Sequence, residues 1–183
     1  MTGPAPDLVV IGLGNVLRGD DAIGVRVVES LRSAVDRDPH ALPAPARLVD
    51  GGILGLDLLG TIRDARAVVL VDAARSGAAA GTVSVLRRDE VVHASGTRGD
   101  TAPGAVGDLV AIAGLMGWLP ADVAIVGIEV AEIGVGIGMS PAIADALPVA
   151  MDAVRAELQR MDQIPATGMA GGGATAQMAG ATA

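Results

Sequence analysis

The chain has 183 residues, no cysteine and a formal net charge of −8 at pH 7. This length suits a single domain with a three-layer core, and the lack of cysteine excludes disulfides, a thiol nucleophile and a cysteine-ligated zinc site. The negative charge and the single aromatic residue argue against binding to nucleic acid or to an anionic membrane. No stretch of about 18 apolar residues and no hydrophobic signal core is found, so we expect a cytoplasmic protein.

The first predicted element is the apolar run Leu8–Leu13, which is rich in β-branched residues and predicts a buried parallel strand. Glycines follow it, and a helical pattern begins at Asp20. The apolar residues of that pattern recur at four-residue spacing on one face: Ile23, Val27, Leu31 and Val35. Two carboxylates, Asp20 and Asp21, therefore lie where a glycine loop enters a helix.

A glycine loop between a strand and a helix is also typical of a dinucleotide site. The usual fingerprint, G-x-G-x-x-G, would need glycine where Leu17 stands, and the pyrophosphate would rest on a helix N-terminus that here carries two acids. Asp50 resembles the acid that binds ribose, but it lies far beyond the usual spacing of about 20 residues. A dinucleotide-binding enzyme is therefore kept only as the weaker alternative.

Four further strands are predicted along the chain, at residues 47–50, 67–72, 82–86 and 123–129. The run at 67–72 is apolar until Asp72 and is expected to be central, whereas the run at 82–86 alternates and suits an edge strand. Between and after them, helical patterns are found near residues 56–62 and 106–113.

The last helix is predicted to begin at Ser140-Pro141, an N-cap followed by proline at the first position, with a kink at Pro148. We expect residues 1–162 to form one domain. Residues 163–183 consist mostly of Gly, Ala, Met and Thr without a period, and they predict a disordered tail.

Alternating strands and helices imply a mostly parallel sheet with right-handed crossovers. We place the first strand between the second and the third, and the later strands beyond the third. Ligands of such sheets bind at the carboxyl ends of the strands, where the strand order reverses. Asp21 follows the first strand and Asp72 ends the third, and neighbouring strands are only about 4.8 Å apart. Both carboxylates are therefore expected to reach one crevice.

Several motifs now resemble those of a known family. Residues 12–24 read G-x-G-N-x-L-x-x-D-D-x-x-G, residues 50–59 read D-G-G-x-x-G-x-x-L-L, and residues 71–73 read V-D-A. Gly127-Ile128-Glu129 and Ser140-Pro141 resemble later landmarks of the same family. Together, and in this order, they resemble the hydrogenase maturation proteases from about Leu8 to Leu158.

The resemblance implies a cytoplasmic endopeptidase, acting as a monomer, that removes the C-terminal extension from the large-subunit precursor of nickel-iron hydrogenase after nickel insertion. It also implies an α/β fold: a three-layer α/β/α sandwich, phosphorylase/hydrolase-like, with a five-stranded mostly parallel sheet whose fourth strand is antiparallel. Asp21 and Asp72 match the family's two acidic metal contacts. Nickel would be carried by the precursor, with no metal tightly bound by the protein itself. A relative that binds metal or the precursor tail without cutting it is a further alternative.

Other acidic residues near the expected crevice have simpler interpretations. Asp20 suits the N-cap of its own helix, Asp72 itself could cap the turn that follows it, and Asp50 is more typical of a loop. Glu129 directly follows a strand and lies within possible reach of the same crevice, but we do not assign it a role.

The family's third metal contact is a histidine, and its position here is Gly104. Only two histidines exist in the chain: His40 lies in a loop after the first helix, and His93 lies 11 residues before Gly104. We predict that both are surface histidines and that His93 does not replace the missing ligand. The metal contact would then rest on Asp21, Asp72 and groups of the precursor.

Overall fold

The computed structural model describes residues 8–91, 104–131 and 134–164. Its five strands are β1 (Leu8–Leu13), β2 (Ala46–Gly52), β3 (Ala67–Ala74), β4 (Val83–Arg87) and β5 (Asp122–Glu129). The helices described are α1 (Ile23–Arg37), α2 (Leu59–Arg63), α3 (Gly104–Leu115) and α4 (Pro141–Asp162). Short 3₁₀ turns, Gly19–Ala22 and Gly55–Leu58, lead into α1 and α2.

The strands form one sheet in the order β2-β1-β3-β5-β4. β1 pairs in parallel with β2 and β3, β3 pairs in parallel with β5, and β4 runs antiparallel to β5 at the edge. The predicted strand order, the predicted edge position of β4 and its antiparallel direction are confirmed. Because the order reverses between β1 and β3, the carboxyl ends of these two strands form the expected crevice.

Helices cover both faces of the sheet, as predicted for a three-layer sandwich. One face packs against α1 and α4 through a buried cluster that includes Val10, Val27, Val69 and Leu158. The opposite face packs against α2 and α3 through a second cluster that includes Ile11, Ile62, Leu70 and Leu109. Strands β1 and β3 are buried along their whole length because they carry apolar side chains toward both clusters.

Helix α1 lies directly on the strands because glycine backbones meet there. A Cβ atom at Gly24 would lie 2.2 Å from the carbonyl oxygen of Val71 and 2.3 Å from that of Leu13. A Cβ atom at Gly12 would lie 2.2 Å from the carbonyl oxygen of Gly24. This close approach brings the turn that precedes α1 against β3, the strand that carries Asp72.

Some boundaries differ from the predicted ones. Residues 19–22 form a 3₁₀ turn, so the α-helix begins at Ile23 and not at Asp20. β3 continues to Ala74 because its pairing with β5 continues, and Asp72 therefore lies inside the strand rather than at its end. The last helix runs through Pro148 to Asp162 as one element.

The predicted tail, residues 163–183, lies outside the described residues except for Gln163 and Ile164, so its disorder stays a prediction. Among the described residues, none of the helices has the length and apolar character needed to span a bilayer.

Candidate active site

The loop after β1 holds the carboxylate of Asp21 in place. The backbone N–H of Asn15 donates a hydrogen bond of 2.9 Å to Oδ2 of Asp21. Gly14 has a φ of +122°, and a Cβ atom there would lie 1.7 Å from the carbonyl oxygen of Asp21. Only glycine permits this approach, so the loop closes over the turn that carries Asp21.

Asp72 is buried beside this turn, with 7% of its surface exposed. Its Oδ1 accepts a 2.9 Å hydrogen bond from the N–H of Ala73. Burial raises the pKa of Asp72 to about 7; the hydrogen bond from Ala73 opposes this rise, and the negative charge of Asp21 adds to it. The turn that carries Asp21 packs against β3, which carries Asp72, so the two residues lie on adjoining segments. The alternative interpretation, in which Asp72 caps a turn, is not supported because its bond stays within β3.

Asp20 has a different partner from the one expected. No side-chain cap hydrogen bond is made at the start of the 3₁₀ turn or of α1, so Asp20 does not cap its own helix. Its Oδ1 accepts the N–H of Ser140 at 2.6 Å and its Oδ2 accepts the hydroxyl of Ser140 at 2.9 Å. Ser140 occupies the N-cap position of α4, as predicted, but gives its hydroxyl to Asp20 instead of to its own helix. Sequence separation of 120 residues explains why no local pattern revealed this pair.

Glu129, which received no role from the sequence, supports the loop that follows β3. Its carboxylate accepts hydrogen bonds of 2.8 Å from the N–H and hydroxyl of Ser76 and from the N–H of Gly77. Burial raises the pKa of Glu129, but these hydrogen bonds, with one more from the N–H of Ala78, outweigh burial and lower it below its ordinary value. Both oxygens are therefore used within the loop, and Glu129 is a structural residue of the strand that neighbours β3.

The remaining candidates are exposed side chains, a glycine and a residue outside the described ranges. Asp50 is exposed at the edge strand β2, and His40 is exposed in the loop after α1. Gly104 is the first residue of α3, and His93 lies outside the described residues. Within residues 8–91, 104–131 and 134–164, no three His, Cys, Asp or Glu side chains form a group that could hold a metal ion.

A backbone donor that a dinucleotide would need is already used. The N–H of Asn15, in the loop after β1, donates to Asp21, and the turn that leads into α1 carries the carboxylates of Asp20 and Asp21. A pyrophosphate would meet these negative charges at short range. The local geometry therefore disfavours the dinucleotide alternative.

Exposed apolar side chains lie on the three loops around the carboxylate pair. Hydrogen bonds join these loops: the N–H of Gly14 donates to the carbonyl of Gly52 at 3.0 Å, and the N–H of Gly19 donates to that of Gly136 at 2.8 Å. We call their exposed apolar side chains the apolar rim, which consists of Val16, Leu17, Ile53, Leu54, Val135 and Ile137. Val135 is 98% exposed and Ile137 is 86% exposed. Contiguous surfaces of this kind mark sites that bind other molecules.

Comparison with known proteins agrees with this architecture. Residues 25–157 match the family described as hydrogenase maturation protease. The chain is 36% identical over 151 residues to the hydrogenase expression/formation protein HupD of Rhodobacter capsulatus. The alignment covers 81% of this chain and 70% of that protein. It is 34% identical over 134 residues to the hydrogenase expression/formation protein HupM of Azotobacter chroococcum mcd 1. This alignment covers 73% of this chain and 62% of that protein. The chain thus spans about two thirds of the length of these two relatives.

A solved structure shares the same arrangement. The hydrogenase maturating endopeptidase HybD from E. coli superposes with a TM-score of 0.71 at 29% sequence identity, over 84% of this chain and 92% of that chain. The family match extends from the first turn of α1 to the last helix, and the fold similarity covers a comparable share of the chain. The chain therefore belongs to the hydrogenase maturation protease family, whose members are peptidases.

Proposed function

We propose that this protein is the cytoplasmic endopeptidase that removes the C-terminal extension from the large-subunit precursor of a nickel-iron hydrogenase. The observation that carries the proposal is the pair of neighbouring carboxylates, Asp21 and Asp72, at the carboxyl ends of β1 and β3 in a member of the maturation protease family. Such a pair can contact a divalent ion or divide acid and base roles between its members.

Nickel enters this proposal as part of the substrate. Two carboxylates supply only two ligand groups, and a transition-metal ion ordinarily needs four or more. The remaining ligands would come from the precursor, in which the nickel already lies. Asp21 and Asp72 would then recognise a loaded precursor by completing the coordination of its metal, and an empty precursor would lack that contact.

Two routes for the hydrolysis are open within this proposal. In the first, the nickel of the precursor polarises the scissile carbonyl or lowers the pKa of the attacking water. In the second, of aspartyl type, Asp72 takes the proton from that water, since a carboxyl group with a pKa of about 7 can act as a base near neutral pH. In both, the water oxygen attacks the carbonyl carbon, the C–N bond breaks and the leaving nitrogen gains a proton.

The apolar rim supports a polypeptide as the substrate. Its six exposed side chains lie on three loops joined by hydrogen bonds, one of which leads to Asp21, and they would be covered if a protein segment lay across these loops. A small charged metabolite would gain nothing from these side chains. A protein partner would gain about 25 cal/mol for each Å² of apolar surface buried.

The direct test is to incubate the purified protein with nickel-loaded precursor and to weigh the product by mass spectrometry. We expect a shortened large subunit from the loaded precursor and none from a nickel-free precursor. Asp21→Ala and Asp72→Ala are each expected to abolish cleavage. Asp50→Ala is the matched control, because it removes an exposed carboxylate from the neighbouring strand β2.

The outcomes separate the alternatives. Binding of the precursor without a shortened product would indicate a relative that recognises the precursor but does not cut it. Saturable binding of NAD would indicate the dinucleotide alternative. Full activity of the Asp72→Ala variant on loaded precursor would contradict both routes of the proposed mechanism.

A further inference from the structure

Asp20 is a buried carboxylate whose hydrogen bonds join two distant parts of the chain. Only 8% of its surface is exposed. Both of its oxygens accept hydrogen bonds from Ser140, one from the backbone N–H at 2.6 Å and one from the hydroxyl at 2.9 Å. Because both oxygens are used and the group is buried, Asp20 is poorly placed to contact a substrate itself.

The backbone on either side of this pair is joined as well. The N–H of Gly19 donates to the carbonyl of Gly136 at 2.8 Å, and the N–H of Gly136 donates to the carbonyl of Leu17 at 3.1 Å. The segment 17–20 is therefore attached by backbone and side-chain bonds to the segment 136–140 that leads into α4. This attachment holds the 3₁₀ turn through contacts separate from those of Gly14 and Asn15.

Asp21 is the next residue of the same turn and is held by Gly14 and Asn15 of the loop after β1. Its Oδ2 accepts the N–H of Asn15, and its backbone lies against Gly14 with no space for a Cβ atom. The direction of the Asp21 side chain thus depends on two supports, the loop before the turn and the pair of Asp20 with Ser140. Reacting groups must be held to about 0.5 Å, and misplacement by about 1 Å can cost about 100-fold in rate.

We propose that Asp20 is a positioning residue: by binding Ser140 at the start of α4, it fixes the turn so that Asp21 faces the crevice with Asp72. This inference rests on the proposed function for its effect on catalysis, but its effect on Asp21 is independent of any substrate. The alternative is that Asp20 only stabilises α4, since a carboxylate near a helix N-terminus is favourable whatever it positions.

Substitutions at Asp20 separate these roles. Asp20→Asn keeps an oxygen that accepts the N–H of Ser140 and gains an NH₂ group that can donate to the hydroxyl oxygen, so the geometry can persist without the charge. Asp20→Ala removes both bonds. Ser140→Ala removes only the bond from the hydroxyl and is the milder variant if Asp20→Ala folds poorly.

The first readout needs no substrate: amide hydrogen exchange at Asn15, whose N–H binds Asp21. We expect faster exchange in Asp20→Ala than in wild type, with Asp20→Asn close to wild type and Ser140→Ala between them. Unchanged exchange at Asn15 in a folded Asp20→Ala or Ser140→Ala variant would overturn the inference, whether or not the protein cleaves a precursor.

The second readout is cleavage of nickel-loaded precursor. We expect kcat to fall about 100-fold in Asp20→Ala with KM within about twofold of wild type, and Asp20→Asn to retain most of the activity. The double variant Asp20→Ala/Ser140→Ala should be no slower than Asp20→Ala alone, because one contact is removed in both. If Asp20→Asn is as inactive as Asp20→Ala, the charge itself is needed and the positioning role is wrong. An inactive wild type would instead contradict the proposed function, and the exchange measurement would still decide the role of Asp20.

Discussion

Replacing Asp72 by asparagine should make the folded protein more stable at alkaline pH. In the folded state burial raises the pKa of Asp72 from its ordinary value of 3.8 to about 7, with the charge of Asp21 as a further cause. Asparagine has nearly the same shape, and its carbonyl oxygen can still accept the N–H of Ala73. It carries no charge, so it avoids the cost of ionising a buried carboxyl group.

The sign and the size of the expected change in the free energy of unfolding follow from proton linkage. Because the folded-state pKa is raised, the stability that Asp72 contributes is fully present below about pH 4 and is lost as the pH rises through about 7. A shift of about 3 pKa units corresponds to about 4 kcal/mol, since each unit is worth about 1.4 kcal/mol. About 2 kcal/mol of this should be lost between about pH 5.5 and about pH 8. That interval avoids the sequence pI of about 4.6, where the low net charge favours precipitation.

The assay is urea unfolding of wild type and Asp72→Asn in the presence of a chelator, at both pH values. The quantity to compare is the difference in the free energy of unfolding between the two proteins, because all other titrating groups cancel in it. We expect that difference to favour Asp72→Asn by about 2 kcal/mol more at the higher pH. Asp50→Asn, which removes an exposed carboxylate, is the control for the loss of a surface charge. A difference that is the same at both pH values would refute the raised pKa and with it the aspartyl-type route.

Three other predictions concern packing, an ion network and the missing histidine. Gly24→Ala should lower the free energy of unfolding by about 3 kcal/mol or more, because the added Cβ would lie 2.2 Å from a carbonyl oxygen of β3. The control is Gly60→Ala, where an added Cβ would meet nothing within 4 Å, and it should be neutral or stabilising in the same urea titration. Glu157→Gln should cost about 1–3 kcal/mol, because the buried carboxylate of Glu157 accepts 2.7 Å bonds from arginines on β4 and α4. Burial raises the pKa of Glu157, but the two arginines lower it by more, so its net pKa lies below the ordinary value of 4.5. The loss of stability in Glu157→Gln should therefore be present above pH 4.5 and should shrink on acidification. Gly104→His should tighten nickel binding measured by calorimetry, whereas His93→Ala should change it little; loss of binding in His93→Ala would show that the third ligand has been misplaced.

Local patterns were enough to predict most of the fold. The run that became β1 is apolar throughout and the run that became β3 is apolar up to Asp72, which predicts strands buried on both faces. The alternating run that became β4 predicts a strand with one exposed face, and β4 lies at the edge. These predictions succeeded because each residue of a strand faces either a covered or an exposed side of the sheet. The polarity of its own side chain therefore indicates which side it faces.

The boundaries near the crevice were less predictable. Periodicity placed the start of the first helix at Asp20, but residues 19–22 form a 3₁₀ turn. The reason is tertiary: Gly19 and Asp20 bind the segment that precedes α4, and Asp21 binds the loop after β1. At such positions, hydrogen bonds to other segments set the backbone conformation, and the hydrophobic periodicity of the local sequence does not predict it.

The sequence by itself determined the class of the fold and the strand order, and it predicts that Asp21 and Asp72 share one crevice, because parallel strands bring their carboxyl ends to one edge. Only the tertiary structure decided which carboxylates are free to act. Asp20 and Asp21 are neighbours of one residue type in one motif, yet Asp20 is committed to Ser140, which lies 120 residues away. The difference arises because a hydrogen bond depends on distance in space, and local sequence spacing carries no information on which distant donor will lie 2.6 Å away.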